Sequence, residues 1–335
     1  MSLESYPPPF RHLNQTPPET VDSADSNTAN SVDPIPVFDF QCLGRDKHNF
    51  EEACKEWGAF RLVNHGIPET FLAQLQDCLE KIFFLPFETK QVLFTTPLSY
   101  FWGTPVLTPS GTAISRGPQN INRVEGLNIL VSQLPQIQPQ EDHILSSFRV
   151  LLEEYGKHMF RVASTLYQTM AENLNLDTVE SKFYVSESTG FLRLYRYPPY
   201  PDTDASCGME AHTDSATLAI LNENHVGGLQ VLKNDQWFTL KPLPNTLIVN
   251  LGDMMKGISS DQYHSVLHKV KVNRYKERIS SCYFVFPEEE CVIRSSNYRP
   301  FTYSDFRAQV QQDVKTIGRK VGLERFKIVD SANGF

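Results

Sequence analysis

Two histidines and one aspartate have the types and the spacing of a metal site. His212 and Asp214 are two residues apart, so in an extended segment both side chains leave the same face. His268 lies in the β-rich run 266–272, where it shares one face with valines while two lysines point the other way. Two imidazoles and one carboxylate occupy three corners of an octahedron and leave three positions open. This arrangement suits an iron(II) ion that must bind further ligands.

The spacing alone leaves the third ligand open. His264 competes with His268 because it lies four residues earlier and near the same parity. It precedes the β-rich run, however, and is expected on a turn. A His-x-Asp pair also recurs by chance as a turn or surface pair, so a metal site and an ordinary polar pair both fit these residues.

A second pair of residues, Arg278 and Ser280, starts the next β-rich run on one face of the strand. A guanidinium on an otherwise apolar face is costly unless a carboxylate meets it. Its planar fork suits bidentate capture of a carboxylate, and the neighbouring hydroxyl adds a hydrogen bond. That carboxylate belongs either to a ligand or to an acidic side chain of the chain itself. Together with the metal triad, the first interpretation describes a site for a chelating diacid.

The elements that must position these residues change in character along the chain. Helical periodicity over 49–57, 68–84 and 140–175 accompanies a strand over 59–63, whereas the segment 96–135 has no clear period. After Gly190, short β-rich runs follow one another, separated by turn residues. Such strands favour a sandwich or jelly roll over a parallel α/β sheet. A last helix is predicted over 303–321.

Four regions follow from these patterns. Residues 1–33 are rich in proline, serine, asparagine and aspartate and offer little to bury, so we expect a flexible tail. Residues 34–185 form a helix-rich N-terminal region, and residues 186–300 form the β core. Residues 301–335 form a C-terminal helix and tail.

Composition restricts the partners and the compartment. With 31 Lys and Arg against 39 Asp and Glu, the net charge is -8, which argues against nucleic acid and anionic membranes as partners. No apolar run is long enough to span a bilayer, and no signal peptide opens the chain. The six cysteines lack paired spacing, so free thiols in a reducing compartment are expected. We therefore expect a monomer in the cytoplasm, with the nucleus as an alternative.

The order of these residues resembles a known signature. His212-Thr213-Asp214, His268 and Arg278-Ile279-Ser280 are similar to the His-x-Asp, His and Arg-x-Ser motifs of plant 2-oxoglutarate- and Fe(II)-dependent dioxygenases. The resemblance favours His268 over His264 and covers roughly residues 35–328. Further likenesses are the Tyr-Pro-Pro at 197–199, the Asn-x-Gly-Asp at 250–253 and the stretch 56–67, whose histidine belongs to a structural hallmark.

The resemblance implies a distorted double-stranded β-helix, or jelly roll, with flanking helices. It implies one Fe(II) held by His212, Asp214 and His268, with no catalytic residue beyond this metal centre. It also implies one 2-oxoglutarate whose far carboxylate is held by Tyr197, Arg278 and Ser280. Dioxygen is the expected co-substrate and ascorbate the expected reductant.

Within this family the chain is most similar to gibberellin 2-oxidases, especially those acting on C20 gibberellins. The likeness is carried by Trp102-Gly103-Thr104-Pro105 and by the C-terminal stretches 301–307 and 321–326. The resemblance implies 2β-hydroxylation of a gibberellin, which inactivates the hormone. The chain departs from the pattern in the turn before the third ligand, at 259–262, and in Lys269, where arginine is usual.

Several alternatives stay open from the sequence. The same chemistry could act on another terpenoid, an alkaloid or a flavonoid. The chain could be a non-catalytic binding protein of the same fold, or a zinc hydrolase with the same three ligands. Arg123 and the aromatic stretch 100–102 either line a pocket for a substrate carboxylate or are a loop arginine beside core aromatics.

Overall fold

The computed structural model describes residues 3–13, 34–103, 106–107, 113–114, 122–137, 143–177, 179, 181–201 and 207–328. The α-helices of these residues are α1 Lys47–Glu56, α2 Glu69–Phe83, α3 Phe87–Leu93, α4 His143–Asn173, α5 Asp253–Ile258 and α6 Tyr303–Ile317. The strands are β1 Val37–Asp39, β2 Ala59–Val63, β3 Ser99–Trp102, β4 Val106–Leu107, β5 Ala113–Ile114, β6 Glu125–Leu130, β7 Phe191–Tyr197, β8 Cys207–His212, β9 Leu218–Glu223, β10 Leu229–Lys233, β11 Gln236–Thr239, β12 Leu247–Leu251, β13 His268–Lys271, β14 Arg278–Val285, β15 Val292–Ile293 and β16 Phe301–Thr302.

Two largely antiparallel sheets form the core. The larger has eight strands in the order β1-β2-β12-β9-β14-β7-β6-β3, and the smaller has four in the order β11-β10-β13-β8. Apolar side chains from both sheets, among them Tyr197, Leu221, Val231 and Val270, pack into one cluster between them. The prediction of a mainly β fold with a jelly-roll core is therefore confirmed.

Helices cover the other face of the larger sheet. Helix α4 buries a stripe of residues at three-to-four spacing, including Leu152, Tyr155 and Met159, in a cluster shared with α2 and with strands of that sheet. Helix α6 begins with a capping box formed by Thr302 and Asp305 and ends at Gly318 in the left-handed conformation. Within the described residues, no helix is long and apolar enough to cross a membrane.

The segment 96–135, which shows no clear period, contributes two strands of the larger sheet. β3 pairs with β6, and β6 pairs with β7. Most of β6 is buried on both faces, and its first residue, Glu125, is fully enclosed. Only Asn128 and Leu130 of this strand are partly exposed, so its polar-apolar alternation is weak.

The expected flexible tail is wrong for residues 3–13, while residues 14–33 lie outside the described residues. Two short 3-10 helices, Leu3–Ser5 and Pro8–Leu13, place Tyr6 and Phe10 in the interior. The composition of residues 1–33, which is rich in proline and polar residues, does not indicate that Tyr6 and Phe10 are buried.

Candidate metal centre

Three ligand-type side chains converge between the two sheets. His212 ends β8, His268 begins β13, and the two residues are register partners in that antiparallel pair. Asp214 lies in the turn after β8. Its two carboxylate oxygens are 3.7 Å from the Nε2 atoms of His212 and His268, one oxygen to each ring. In the described residues, the group of metal-ligating side chains close enough to hold one ion is this triad, with donor atoms within 4.8 Å of one another.

Backbone carbonyls fix the orientation of both imidazoles. His212 Nδ1 lies 2.7 Å from the carbonyl of Glu210, and His268 Nδ1 lies 3.1 Å from that of Val266. A carbonyl only accepts, so each Nδ1 carries the proton and each Nε2 lone pair points at the cavity. Burial and the neighbouring His268 lower the pKa of His212 to about 4, which keeps this ring neutral and able to ligate. Two imidazoles and a carboxylate fit Fe(II).

The turn that carries Asp214 rests on the Asn-x-Gly-Asp segment. The backbone N–H of Asp253 donates to the carbonyl of Asp214 at 2.8 Å, and Lys320 forms an ion pair with the Asp253 carboxylate at 2.7 Å. A Cβ on Gly252 would lie 2.1 Å from the carbonyl oxygen of Ala216, so only glycine permits this approach. The Asn-x-Gly-Asp segment is recognisable in the sequence, whereas the role of Lys320 is not, because its contact depends on how the C-terminal region folds back.

The predicted carboxylate clamp is assembled at the other end of the same cavity. Arg278 pairs in register with Tyr197 of β7, and its Nη1 donates to Ser280 Oγ at 3.2 Å. All three are almost completely buried, and the guanidinium lies 4.9 Å from the Tyr197 ring centre. Burial raises the pKa of the Tyr197 phenol well above its usual value, so the hydroxyl remains a donor. A cavity of about 50 Å³ is lined by both the triad and the clamp.

An acidic side chain also meets the clamp. Glu223, the last residue of β9, accepts a hydrogen bond from Arg278 Nε at 2.9 Å. The sequence left open whether a ligand or an internal acid would meet this arginine. The structure shows the internal acid and leaves the arginine at the cavity wall, so the two interpretations do not exclude each other.

A larger cavity, of about 630 Å³, adjoins this one. Arg193 of β7 borders both cavities, and its guanidinium lies 5.4 Å and 5.3 Å from the ring centres of Phe191 and Phe284. Phe286 and Tyr303 extend the aromatic wall of the larger cavity. A guanidinium between aromatic walls suits an apolar molecule that carries an anionic group.

Arg123 lies elsewhere, on the side of the molecule where residues 3–13 pack. It is buried between the rings of Phe10 and Tyr200, at 4.8 Å and 4.1 Å, and lines neither cavity. Trp102 packs edge-on against Phe10. Arg123 thus lies beside core aromatics, and its Nε and Nη2 are buried without a hydrogen-bond partner in the described residues. His264 also lies outside the triad.

A two-histidine, one-carboxylate set inside a jelly roll, facing an arginine and a serine across one cavity, defines a 2-oxoglutarate- and iron(II)-dependent oxygenase. Residues 188–287 match the model of the 2OG-Fe(II) oxygenase superfamily, and residues 35–143 match that of the non-haem dioxygenase in morphine synthesis N-terminal region. The chain belongs to the 2OG-Fe(II) oxygenase superfamily and is a dioxygenase. The alternatives of a non-catalytic binding protein and a zinc hydrolase find no support.

The names of individual relatives refer to several different substrates. The chain is 35% identical to gibberellin 2-beta-dioxygenase 5 of Oryza sativa subsp. japonica, covering 88% of this chain and 87% of that protein. It is 33% identical to a flavonol synthase/flavanone 3-hydroxylase of Petunia hybrida, covering 76% and 74%. Among solved structures, JOX2 in complex with 2OG, Fe and JA superposes with a TM-score of 0.74 at 25% identity, covering 90% of this chain and 92% of that one.

Proposed function

We propose that the chain hydroxylates a gibberellin, at the 2β position, and thereby inactivates the hormone. Relatives at 30% identity or more include gibberellin dioxygenases and a flavonol synthase, so similarity alone does not select the substrate. The observation that carries the proposal is the aromatic cavity of about 630 Å³ beside the triad, with Arg193 at its junction with the metal cavity. A gibberellin joins a rigid apolar skeleton to a carboxylate, which matches these walls and this charge.

The roles of the site residues follow from the geometry. His212 and His268 would hold Fe(II) through Nε2 and Asp214 through a carboxylate oxygen, while Arg278, Ser280 and Tyr197 would hold the far carboxylate of 2-oxoglutarate. The bound iron supplies the oxidation of a C–H bond by O2, coupled to conversion of 2-oxoglutarate to succinate and CO2. The chain orients both substrates, and the buried clamp excludes water from one end of the cavity. Ascorbate would keep the iron reduced.

Arg193 is the residue that would orient the substrate. In the described residues no carboxylate lies within ion-pair distance of its guanidinium, whereas Arg307 at the rim of the larger cavity is paired with Glu289 at 2.8 Å. A substrate carboxylate on Arg193 would anchor the skeleton at the passage between the cavities. The Arg193 side chain is exposed, so loss of an ion pair with the substrate carboxylate should cost up to about 1 kcal/mol and lower the affinity by about fivefold.

The test is a substrate panel read by mass spectrometry for a gain of one oxygen atom and by succinate release. We expect product from C20 or C19 gibberellins and not from their methyl esters, from a flavanone or from a neutral terpene. Arg193→Met should raise KM for the gibberellin about fivefold, and Arg307→Met should raise it less. Coupled hydroxylation of the flavanone or the neutral terpene, with gibberellins inert, would replace the proposed substrate.

We also infer a monomer in the cytoplasm or nucleus that acts on a small molecule, without nucleic-acid or membrane partners. The net charge of -8 supports the absence of nucleic-acid and anionic membrane partners. Light scattering at working concentration and binding assays with DNA and anionic vesicles test these points.

A further inference from the structure

Glu223 is a carboxylate built into the site that must receive another carboxylate. Its side chain is 6% exposed and that of Arg278 is 1% exposed, with 2.9 Å between Oε2 and Nε. The other oxygen, Oε1, is buried and has no hydrogen-bond partner in the described residues. Strand pairing fixes this contact, since Glu223 is the register partner of Ser280 in the β9–β14 pair.

The pairing uses only one edge of the guanidinium. Nε donates to Glu223, and Nη1 donates to Ser280 Oγ at the cavity wall. Neither Glu223 nor Ser280 engages Nη2, and Arg278 lines the cavity in which a ligand carboxylate would bind. A buried arginine is held in a single orientation when one edge is tied to a carboxylate, which spares a ligand the entropy of ordering it.

The negative charge of Glu223, in contrast, opposes the binding of a ligand carboxylate at Arg278. Arg278 and Glu223 together are neutral, so a second carboxylate bound to the same guanidinium leaves the buried group with a net negative charge. Like charges within a few ångströms repel strongly where water is excluded. A binding site made of arginine and serine alone would attract the diacid more strongly.

We propose that Glu223 is a positioning residue for Arg278 and that its charge weakens the hold on the far carboxylate of 2-oxoglutarate and of its product succinate. The weaker hold favours release of succinate, which keeps that same carboxylate after turnover. The inference depends on 2-oxoglutarate binding at Arg278 and is independent of which organic substrate the enzyme oxidises.

The test measures binding without turnover, by titration calorimetry of the full chain loaded with Mn(II) in place of iron. Glu223→Gln keeps the shape and an acceptor for Nε but removes the charge. We expect the Kd of 2-oxoglutarate and of succinate to fall by about tenfold. The Kd of 2-oxopentanoate, which has a methyl group in place of the far carboxylate, should stay the same or rise. Glu223→Leu, which also removes the acceptor, should bind 2-oxoglutarate several-fold more weakly than Glu223→Gln.

A matched control distinguishes the loss of a negative charge next to Arg278 from the loss of a negative charge elsewhere on the protein. Glu290→Gln removes the same charge from an exposed position and should leave all three Kd values unchanged. Unchanged or weaker 2-oxoglutarate binding in Glu223→Gln would overturn the charge effect, and equal binding by the glutamine and leucine variants would overturn positioning. Absence of 2-oxoglutarate binding in the parent chain would instead refute the 2-oxoglutarate site itself. Thermal unfolding without ligand confirms that each variant is folded.

Discussion

His268 is the residue whose removal tests the metal site most directly. It supplies one of three donors and lies against Asp214, so His268→Ala should weaken Mn(II) or Fe(II) binding by at least about 100-fold and abolish the visible band of the iron–2-oxoglutarate chelate. The measurement is metal content by elemental analysis, together with anaerobic spectroscopy.

His264 provides the matched control for this prediction. It lies four residues earlier in the chain, its backbone N–H donates to the carbonyl of Cys54, and it is not a member of the triad. His264→Ala should therefore retain the metal and the band. Loss of metal in His264→Ala with retention in His268→Ala would reassign the third ligand.

For individual residues, the sequence predicts which side chains that are close together in the chain share a site better than it predicts contacts between different strands. The i, i+2 pair Arg278–Ser280 follows from strand geometry, whereas Asp214 lies in the turn after His212, and the structure brings both pairs to one cavity. Glu223 could not be foreseen, because its contact with Arg278 is created by the pairing of β9 with β14. No local pattern encodes that register.

Among the elements, the tight turn after β12 is the one that the triad depends on most. An added Cβ at Gly252 would lie 2.1 Å from the carbonyl oxygen of Ala216 and 2.9 Å from that of Asp214, both backbone atoms. Gly252→Ala must therefore displace the turn that carries the carboxylate ligand. We expect a loss of about 1–3 kcal/mol in the free energy of unfolding and weaker metal binding, measured by urea denaturation and metal titration.

Gly44 is the control, since a Cβ there would meet nothing within 4 Å. Gly44→Ala should keep metal affinity and lie within about 0.5 kcal/mol of the parent in stability. If Gly252→Ala bound metal as tightly as Gly44→Ala does, the turn could not be what positions Asp214.

The N-terminal segment closes a buried network of charges. Arg196 of β7 bonds Glu277 through Nε and Nη2, at 3.0 Å and 2.6 Å, and bonds Glu125 through Nη1 at 2.9 Å. Tyr6 donates to Glu277, and the carbonyl of Ser5 accepts from the buried Lys90 at 2.8 Å. Residues 3–13 thus complete the hydrogen bonding of Glu277 and Lys90 and cover this buried network.

Removal of residues 1–13 should therefore destabilise the whole fold. Loss of the buried Tyr6 and Phe10 side chains alone corresponds to about 3–6 kcal/mol in the free energy of unfolding, measured by urea denaturation. Arg11→Ala, which removes an exposed ion pair with Glu88, should cost no more than about 1 kcal/mol. A truncated chain as stable as the parent would show that residues 3–13 are dispensable, as the composition of residues 1–33 predicts.

For the molecule as a whole, sheet topology joins the regions that the sequence separates. The sequence predicts that residues 34–185 form a helix-rich region beside the β core of 186–300. In the structure these residues also contribute four strands to the larger sheet. β1 and β2 form one edge of that sheet, and β6 and β3 form the other. Helix periodicity is a local signal and was recognised, whereas strand order depends on contacts distant in sequence. Arg278 and Ser280 of β14 therefore lie in a sheet completed at both edges by the N-terminal half, whereas His212 and His268 lie on the smaller sheet.

This continuity predicts one cooperative unfolding transition that the site ligands shift as a unit. The three tryptophans lie in different places: Trp57 packs against Phe238 of the smaller sheet, Trp102 lies in β3, and the Trp237 ring faces the Lys269 ammonium. Tryptophan fluorescence therefore reports on separate regions, while circular dichroism reports on the sheets. The two signals should coincide. Mn(II) and 2-oxoglutarate at about 100 times their Kd should each add about 2.7 kcal/mol, about 5 kcal/mol together, and raise Tm by about 6–12 °C. Two transitions, of which the ligands shift only one, would mean that the N-terminal half folds apart from the site.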